Sequence, residues 1–119
     1  MKINQEVLDE FGKILIESVF DDQFQFIKND TSDLAETEEY KNLFSGMTEI
    51  QKREIEHYTK EVLSGTLFNL LRIFEEHENF KLIYEEGSKQ VDLNQISEML
   101  KAEPIIEGGW IERFSKELK

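Results

Sequence analysis

The chain has 119 residues, 26 acidic and 14 basic side chains, and a net charge of −12. It has no cysteine, which excludes disulfides, thiol catalysis and cysteine-bound zinc or iron–sulfur centres. A field of this sign repels nucleic-acid phosphates and anionic lipid and attracts basic proteins. The expected partner is therefore a basic protein, not nucleic acid and not a membrane.

The length fits a single domain over residues 1–119, large enough for one core without staples. The first ten residues carry acids where a signal peptide would carry bases and an apolar run. No apolar run approaches the ~18 residues that span a bilayer. Cytoplasmic residence is the resulting expectation.

The first helix is predicted from Gln5 to Lys28, with Val7, Leu8, Phe11, Ile14, Leu15, Val19 and Phe20 as one buried stripe. Asn29-Asp30-Thr31-Ser32 reads as a turn in which Thr31 or Ser32 caps the next element. Asp33 to Phe44 reads as a weak acidic helix anchored by Leu34, Tyr40, Leu43 and Phe44. Ser45-Gly46-Met47 breaks it.

Thr48-Glu49-Ile50-Gln51 fits a capping box and starts a long helix to about His77. A straight helix of ~30 residues is ~45 Å long, too long for a domain whose radius of gyration should be ~13–14 Å. A bend is therefore expected at Ser64-Gly65. The segment from Val62 to Phe74 is apolar almost all round and is expected at the centre of the core, whereas Ile50 to Glu61 should lie at the surface. Beyond Asn79, Phe80, Leu82 and Tyr84 alternate as in a strand, and Glu86-Gly87-Ser88-Lys89 turns the chain into a second strand, Gln90 to Leu93. Asp92 or Asn94 caps a short helix through Leu100, and Pro104 ends that segment. Gly108-Gly109 makes a tight turn before a terminal helix, Trp110 to Leu118, with Trp110, Ile111 and Phe114 inward.

The fold class is accordingly α+β and mostly helical: a helical bundle with a small antiparallel hairpin packed against it. No cofactor is expected. Glu54 and His57 have the Glu-x-x-His spacing used by metal-binding bundles, but the motif occurs once and His77 has Phe74 where a ligand would be needed. Asn69 and Arg72 either line a small ligand groove or mark the least buried edge of the helix, with Arg72 pairing to Glu76. Serines lack a nucleophile elbow. Glu75, Glu76 and Glu78 sit at the negative end of the long helix dipole, where cations are preferred by ~0.3–1 kcal/mol per site. Glu85 and Glu86 adjoin them in the hairpin. These five glutamates are the expected partner-binding residues, since a locally unfavourable arrangement often marks function.

Thr66-Leu67-Phe68-Asn69-Leu70-Leu71 and Glu107-Gly108-Gly109-Trp110-Ile111-Glu112-Arg113-Phe114-Ser115 resemble segments of small acidic bacterial proteins of unassigned function, among whose size and charge class are immunity proteins that neutralise toxins of neighbouring bacteria. The resembling positions are apolar and glycine residues, so the likeness carries fold and transfers no functional residue. With the net charge of −12, the expectation is a non-catalytic acidic binding protein, in concrete form an immunity protein or antitoxin against a basic, nuclease-type toxin. Two alternatives stand beside it: a helical metal-dependent or small-molecule-binding enzyme using Glu54 and His57, and a structural or regulatory homodimer built on the long helix.

Overall fold

Apolar residues at Leu8, Ile16, Phe20 and Phe24 are spaced by fours, and a strict four-residue spacing drifts by about 40° per step round an α-helix. The computed structural model, which describes residues 2–118, corrects that drift with a π-turn. Helix α1 (Asn4–Leu15) continues without a break through a π-turn at Ile16–Phe20 into α2 (Asp21–Asn29). The local unwinding keeps Ile16, Phe20 and Phe24 all in the core. Ile14, in α1 ahead of the π-turn, and Val19, within it, are both expected in the buried stripe but are 54% and 43% exposed.

Thr31 does not cap the next element. Asp30 is the N-cap of α3 (Thr31–Leu34), without a side-chain bond. The acidic helix expected from Asp33 to Phe44 is broken, because the Thr37 hydroxyl donates to the Leu34 carbonyl (2.8 Å) and accepts from the Tyr40 amide (3.1 Å). A threonine that bonds backbone in this way competes with helix propagation. Only α4 (Lys41–Phe44) resumes, burying Phe44. Gly46, at φ 77°, then turns the chain.

The capping box forms as its residues predict: the Gln51 amide donates to Thr48 Oγ1 at 3.1 Å, and the Thr48 amide to Gln51 Oε1 at 2.9 Å. It starts α5 (Glu49–Glu76), 28 residues without interruption. The helix is not broken at Ser64-Gly65. The reason is that α1, the π-turn and α2 form a second rod of similar length alongside, with the start of α1 near the hairpin that adjoins the end of α5. The molecule is elongated: 55 × 28 × 26 Å, with a radius of gyration of 17.4 Å. Val62 to Phe74 is not buried all round. Leu67 and Leu71 face the core, while Val62, Leu70 and Ile73 remain 42–47% exposed.

Strands β1 (Ile83–Glu86) and β2 (Lys89–Asp92) pair antiparallel, with Tyr84 opposite Val91 and Glu86 opposite Lys89. Gly87 supplies the positive φ (61°) of a two-residue loop. Leu82 and Tyr84 pack on the core, whereas Phe80 stays 63% exposed outside the strand. Lys2 reaches the Tyr84 hydroxyl at 3.2 Å and Glu10 at 3.1 Å, and these two groups hold its ammonium well above the ordinary lysine range. Asp92 caps α6 (Leu93–Ile96) through the Asn94 amide (3.0 Å). That helix is shorter than expected, and a separate 3-10 turn comes after it at Leu100–Ala102.

Helix α7 (Trp110–Phe114) is also shorter than its expected span to Leu118. Asp21, buried on α2, captures the chain there by accepting from the Ser115 hydroxyl (2.6 Å) and the Lys116 amide (2.8 Å). Trp110 is fully buried and lies against Gly12, with Phe11 edge-on at 5.8 Å. The architecture is thus a helical assembly with a two-stranded hairpin packed against it. Among the described residues no helix is long and apolar enough to cross a membrane.

Candidate functional site: a double groove around an isoleucine ridge

Residues 103–111 form a loop whose backbone is unusually well tied. Ile105 and Ile106 amides both donate to the Ala102 carbonyl, Gly109 to Ile106, Trp110 to Glu103, and Ile111 to Pro104. Pro104 is fully buried. Gly108 takes φ 70°, and a Cβ on Gly109 would collide with the Glu103 carbonyl and lie 2.8 Å from that of Ile106. Both glycines are therefore required by geometry. Glu112 closes the turn by accepting from the Gly108 amide at 2.7 Å, and Glu103 accepts from the Ser97 hydroxyl at 2.7 Å.

This rigid loop directs two large apolar side chains outward. Ile105 is 45% and Ile106 47% exposed. Between the loop and the middle of α5 lies a groove of about 540 Å³ with Phe68, Pro104, Ile105, Ile106 and Ile111 as its apolar lining. Gly65 has no neighbour within 4 Å of where a Cβ would stand, so its missing side chain keeps the α5 wall open. On the other side of Ile106 is a second groove of about 510 Å³, bounded by α1 and the segment from Ile96 to Ala102. Ile106 lines both grooves and forms the ridge between them.

The rim is polar and mostly acidic. Glu61 and Glu112 border the first groove, Glu98 and Glu103 the second. Lys60 and His57 are the basic groups present, and His57 Nε2 is 3.2 Å from Glu61. The Ser64 hydroxyl is satisfied by the Lys60 carbonyl at 2.7 Å. An apolar centre inside a polar rim is the anatomy of a protein-binding surface. The volumes also fall in the usual range for small-molecule clefts.

Glu75 is half-buried, and its Oε2 accepts from the Lys101 amide at 2.7 Å, pinning the 3-10 turn to the end of α5. Its position at the negative helix end has a structural compensation that the sequence did not disclose. Glu76 is paired with Arg72 at 3.5 Å. Glu78 is exposed in the connection after α5. Glu85 accepts from the Gln90 side chain (2.7 Å), and Glu86 lies opposite Lys89 at the hairpin tip. With a rise of about 3.3 Å per residue, the tip is on the order of 13 Å along the strand from Leu82, so the five glutamates range from helix end to tip.

Glu54 is exposed and His57 turns to Glu61, one turn further along. Among the described residues no group of three or more His, Cys, Asp or Glu is placed to hold a metal ion. Asn69 and Arg72 lie on the exposed side of α5, away from the lining of both grooves. The isoleucine ridge went unforeseen. Its sequence signal is Pro-Ile-Ile-Glu-Gly-Gly at 104–109, two β-branched apolar residues inside turn punctuation. No family model, no curated protein and no solved structure matches this chain.

Proposed function

We propose that this chain is a non-catalytic binding protein that captures a basic protein through the Ile105–Ile106 ridge, with an immunity protein or antitoxin against a nuclease-type toxin as its concrete form. The observation that carries the reading is the ridge itself: two isoleucines held outward by a hydrogen-bonded loop, between two grooves whose rims hold four glutamates against one lysine and one histidine. The isoleucines supply the desolvated centre, where a few residues dominate binding energy. The acids supply orientation and fast association. Nuclease toxins are basic because they bind phosphates, so an acidic protein fits the surface that the substrate would use. Glu76, Glu78, Glu85 and Glu86 extend the same field and steer encounter from further away.

The test uses the purified product of the gene adjoining this one, assayed for nuclease activity and for binding. Stoichiometric inhibition is expected, with an association rate that falls as salt rises. Ile106→Asp should weaken binding mainly through faster dissociation, and the pair Glu61→Lys and Glu112→Lys mainly through slower association. Inhibition that survives all of these changes, or a partner that is itself acidic, removes the basis of the reading.

A further inference from the structure

Helix α5 carries a second face, on the side away from the groove. At about 100° per residue, Ile55, Thr59, Val62, Thr66, Leu70 and Ile73 fall within one strip about 80° wide and about 27 Å long. No charged residue enters it, in a chain that is 34% charged. Val62, Leu70 and Ile73 are 47%, 45% and 42% exposed. The two threonines do not make the strip polar. Thr59 donates to the Ile55 carbonyl at 2.7 Å and Thr66 to the Val62 carbonyl at 2.8 Å. Both hydroxyls are satisfied by their own helix, so the strip demands no hydrogen bond from whatever covers it.

We infer that this strip is the surface on which a second copy of the chain packs, α5 against α5 and antiparallel. Charge selects the occupant. A basic partner finds no acid here to meet, whereas two chains of net charge −12 can touch along this line without facing like charges across the seam. Spacing selects the orientation. The strip is symmetric about position 64, so a two-fold axis there sets Ile55 opposite Ile73, Thr59 opposite Leu70 and Val62 opposite Thr66. Such an isologous pairing is closed and self-complementary, and its three-and-four spacing suits helices crossing at about +20°. The uninterrupted length of α5 makes the whole strip available at once. A helical face of this size buries on the order of 400 Å² per copy, about 800 Å² in total, short of the ~1,200–2,000 Å² of stable interfaces. The dimer is therefore weak and concentration-dependent. Phe68 lies about 200° round the helix from Thr66, so both copies keep their ridge and grooves open.

Sedimentation velocity on the full chain from about 1 µM to about 1 mM should show monomer passing to dimer. Leu70→Glu and Ile73→Glu should each raise the dissociation constant roughly a hundredfold or more, since each buries two carboxylates at the seam. Both sites are exposed in the single chain, so helical circular dichroism should not change. Ile105→Glu, in the groove, should leave self-association as it was. The chain has no cysteine, so Glu54→Cys gives a unique spin-label site beside the strip. In the antiparallel pair the two labels stand about 30 Å apart, against less than about 20 Å in a parallel one. A monomer at every concentration, a Leu70→Glu variant that dimerises as its parent does, or a short label distance overturns the inference.

Discussion

Gly12 offers a direct test of how tightly the core is closed. It sits inside α1, where alanine should improve helix stability by about 1 kcal/mol. A Cβ built there would lie 2.5 Å from Cγ, Cδ2 and Cε2 of Trp110. Ordinary carbon contacts are about 3.5–4.0 Å, so the indole would have to retreat by about 1 Å. It has nowhere to go: Trp110 is 0% exposed, its amide is held by the Glu103 carbonyl at 2.9 Å, and Phe11 meets its ring edge-on. Overpacking of this kind costs about 1–3 kcal/mol. A rigid aromatic plane across the path puts the cost toward the upper end, so Gly12→Ala should lose about 1–2 kcal/mol after the helical gain. For a chain of this length that corresponds to a melting temperature lower by about 3–10 °C. Trp110 is the only tryptophan, so its emission during urea titration reports on this contact directly, and the midpoint should fall. Gly12→Val should fall further. A Gly12→Ala protein as stable as its parent would mean that the packing seen against the indole relaxes freely, and the reasoning fails.

Three other substitutions probe the ties between segments. Glu75→Lys leaves the Lys101 amide without its acceptor and should destabilise by about 1–3 kcal/mol in a thermal melt, while Glu76→Lys, on the exposed face, should change stability by less than about 0.5 kcal/mol. Asp21→Ala strands the Ser115 hydroxyl and the Lys116 amide; hydrogen exchange should accelerate at residues 115–117 well before α5 loses protection. Thr48→Ala removes one half of the capping box and should cost about 1 kcal/mol, with fraying confined to the first turn of α5.

Much of the fold was legible because its signals are local. Thr48 and Gln51 announce the start of α5 within four residues, and Gly87 sets the hairpin loop by its own backbone freedom. What escaped depends on partners distant in sequence. The expectation at Ser64-Gly65 rests on a compact molecule, but α1, the π-turn and α2 together form a rod beside α5, and the molecule extends to 55 Å. Val62 to Phe74 looked like the centre of the core because apolar character does not say how many faces will find a neighbour; only Leu67 and Leu71 did so fully. The π-turn could be suspected from the spacing of Leu8, Ile16, Phe20 and Phe24, yet that spacing is also tolerated by ordinary helices. At the site, the tie from Glu75 to the Lys101 amide is not legible at the helix end because its partner lies 26 positions away. The Ile105–Ile106 ridge was missed because exposure inside a turn is a property of the folded loop and not of the residues.

The tether between the C-terminal segment and the first rod has a consequence for the order in which the molecule assembles. Ser115 meets Asp21 across 94 positions, and Arg113 meets Asp9 across 104. Closing a flexible loop of that size costs about 4 kcal/mol before any contact rewards it. Helix formation within the rods and the turn of the hairpin carry no such penalty, and proteins rich in local contacts fold faster than those that rely on distant ones. The two rods and the hairpin can therefore collapse early around Leu8, Phe20 and Leu67, leaving a vacancy above Gly12. Trp110, the largest side chain of the core, arrives into it last. Quenching or shifting of its emission should then be the slowest event in refolding, later than the gain of helix, so that one fluorophore times the completion of the whole structure.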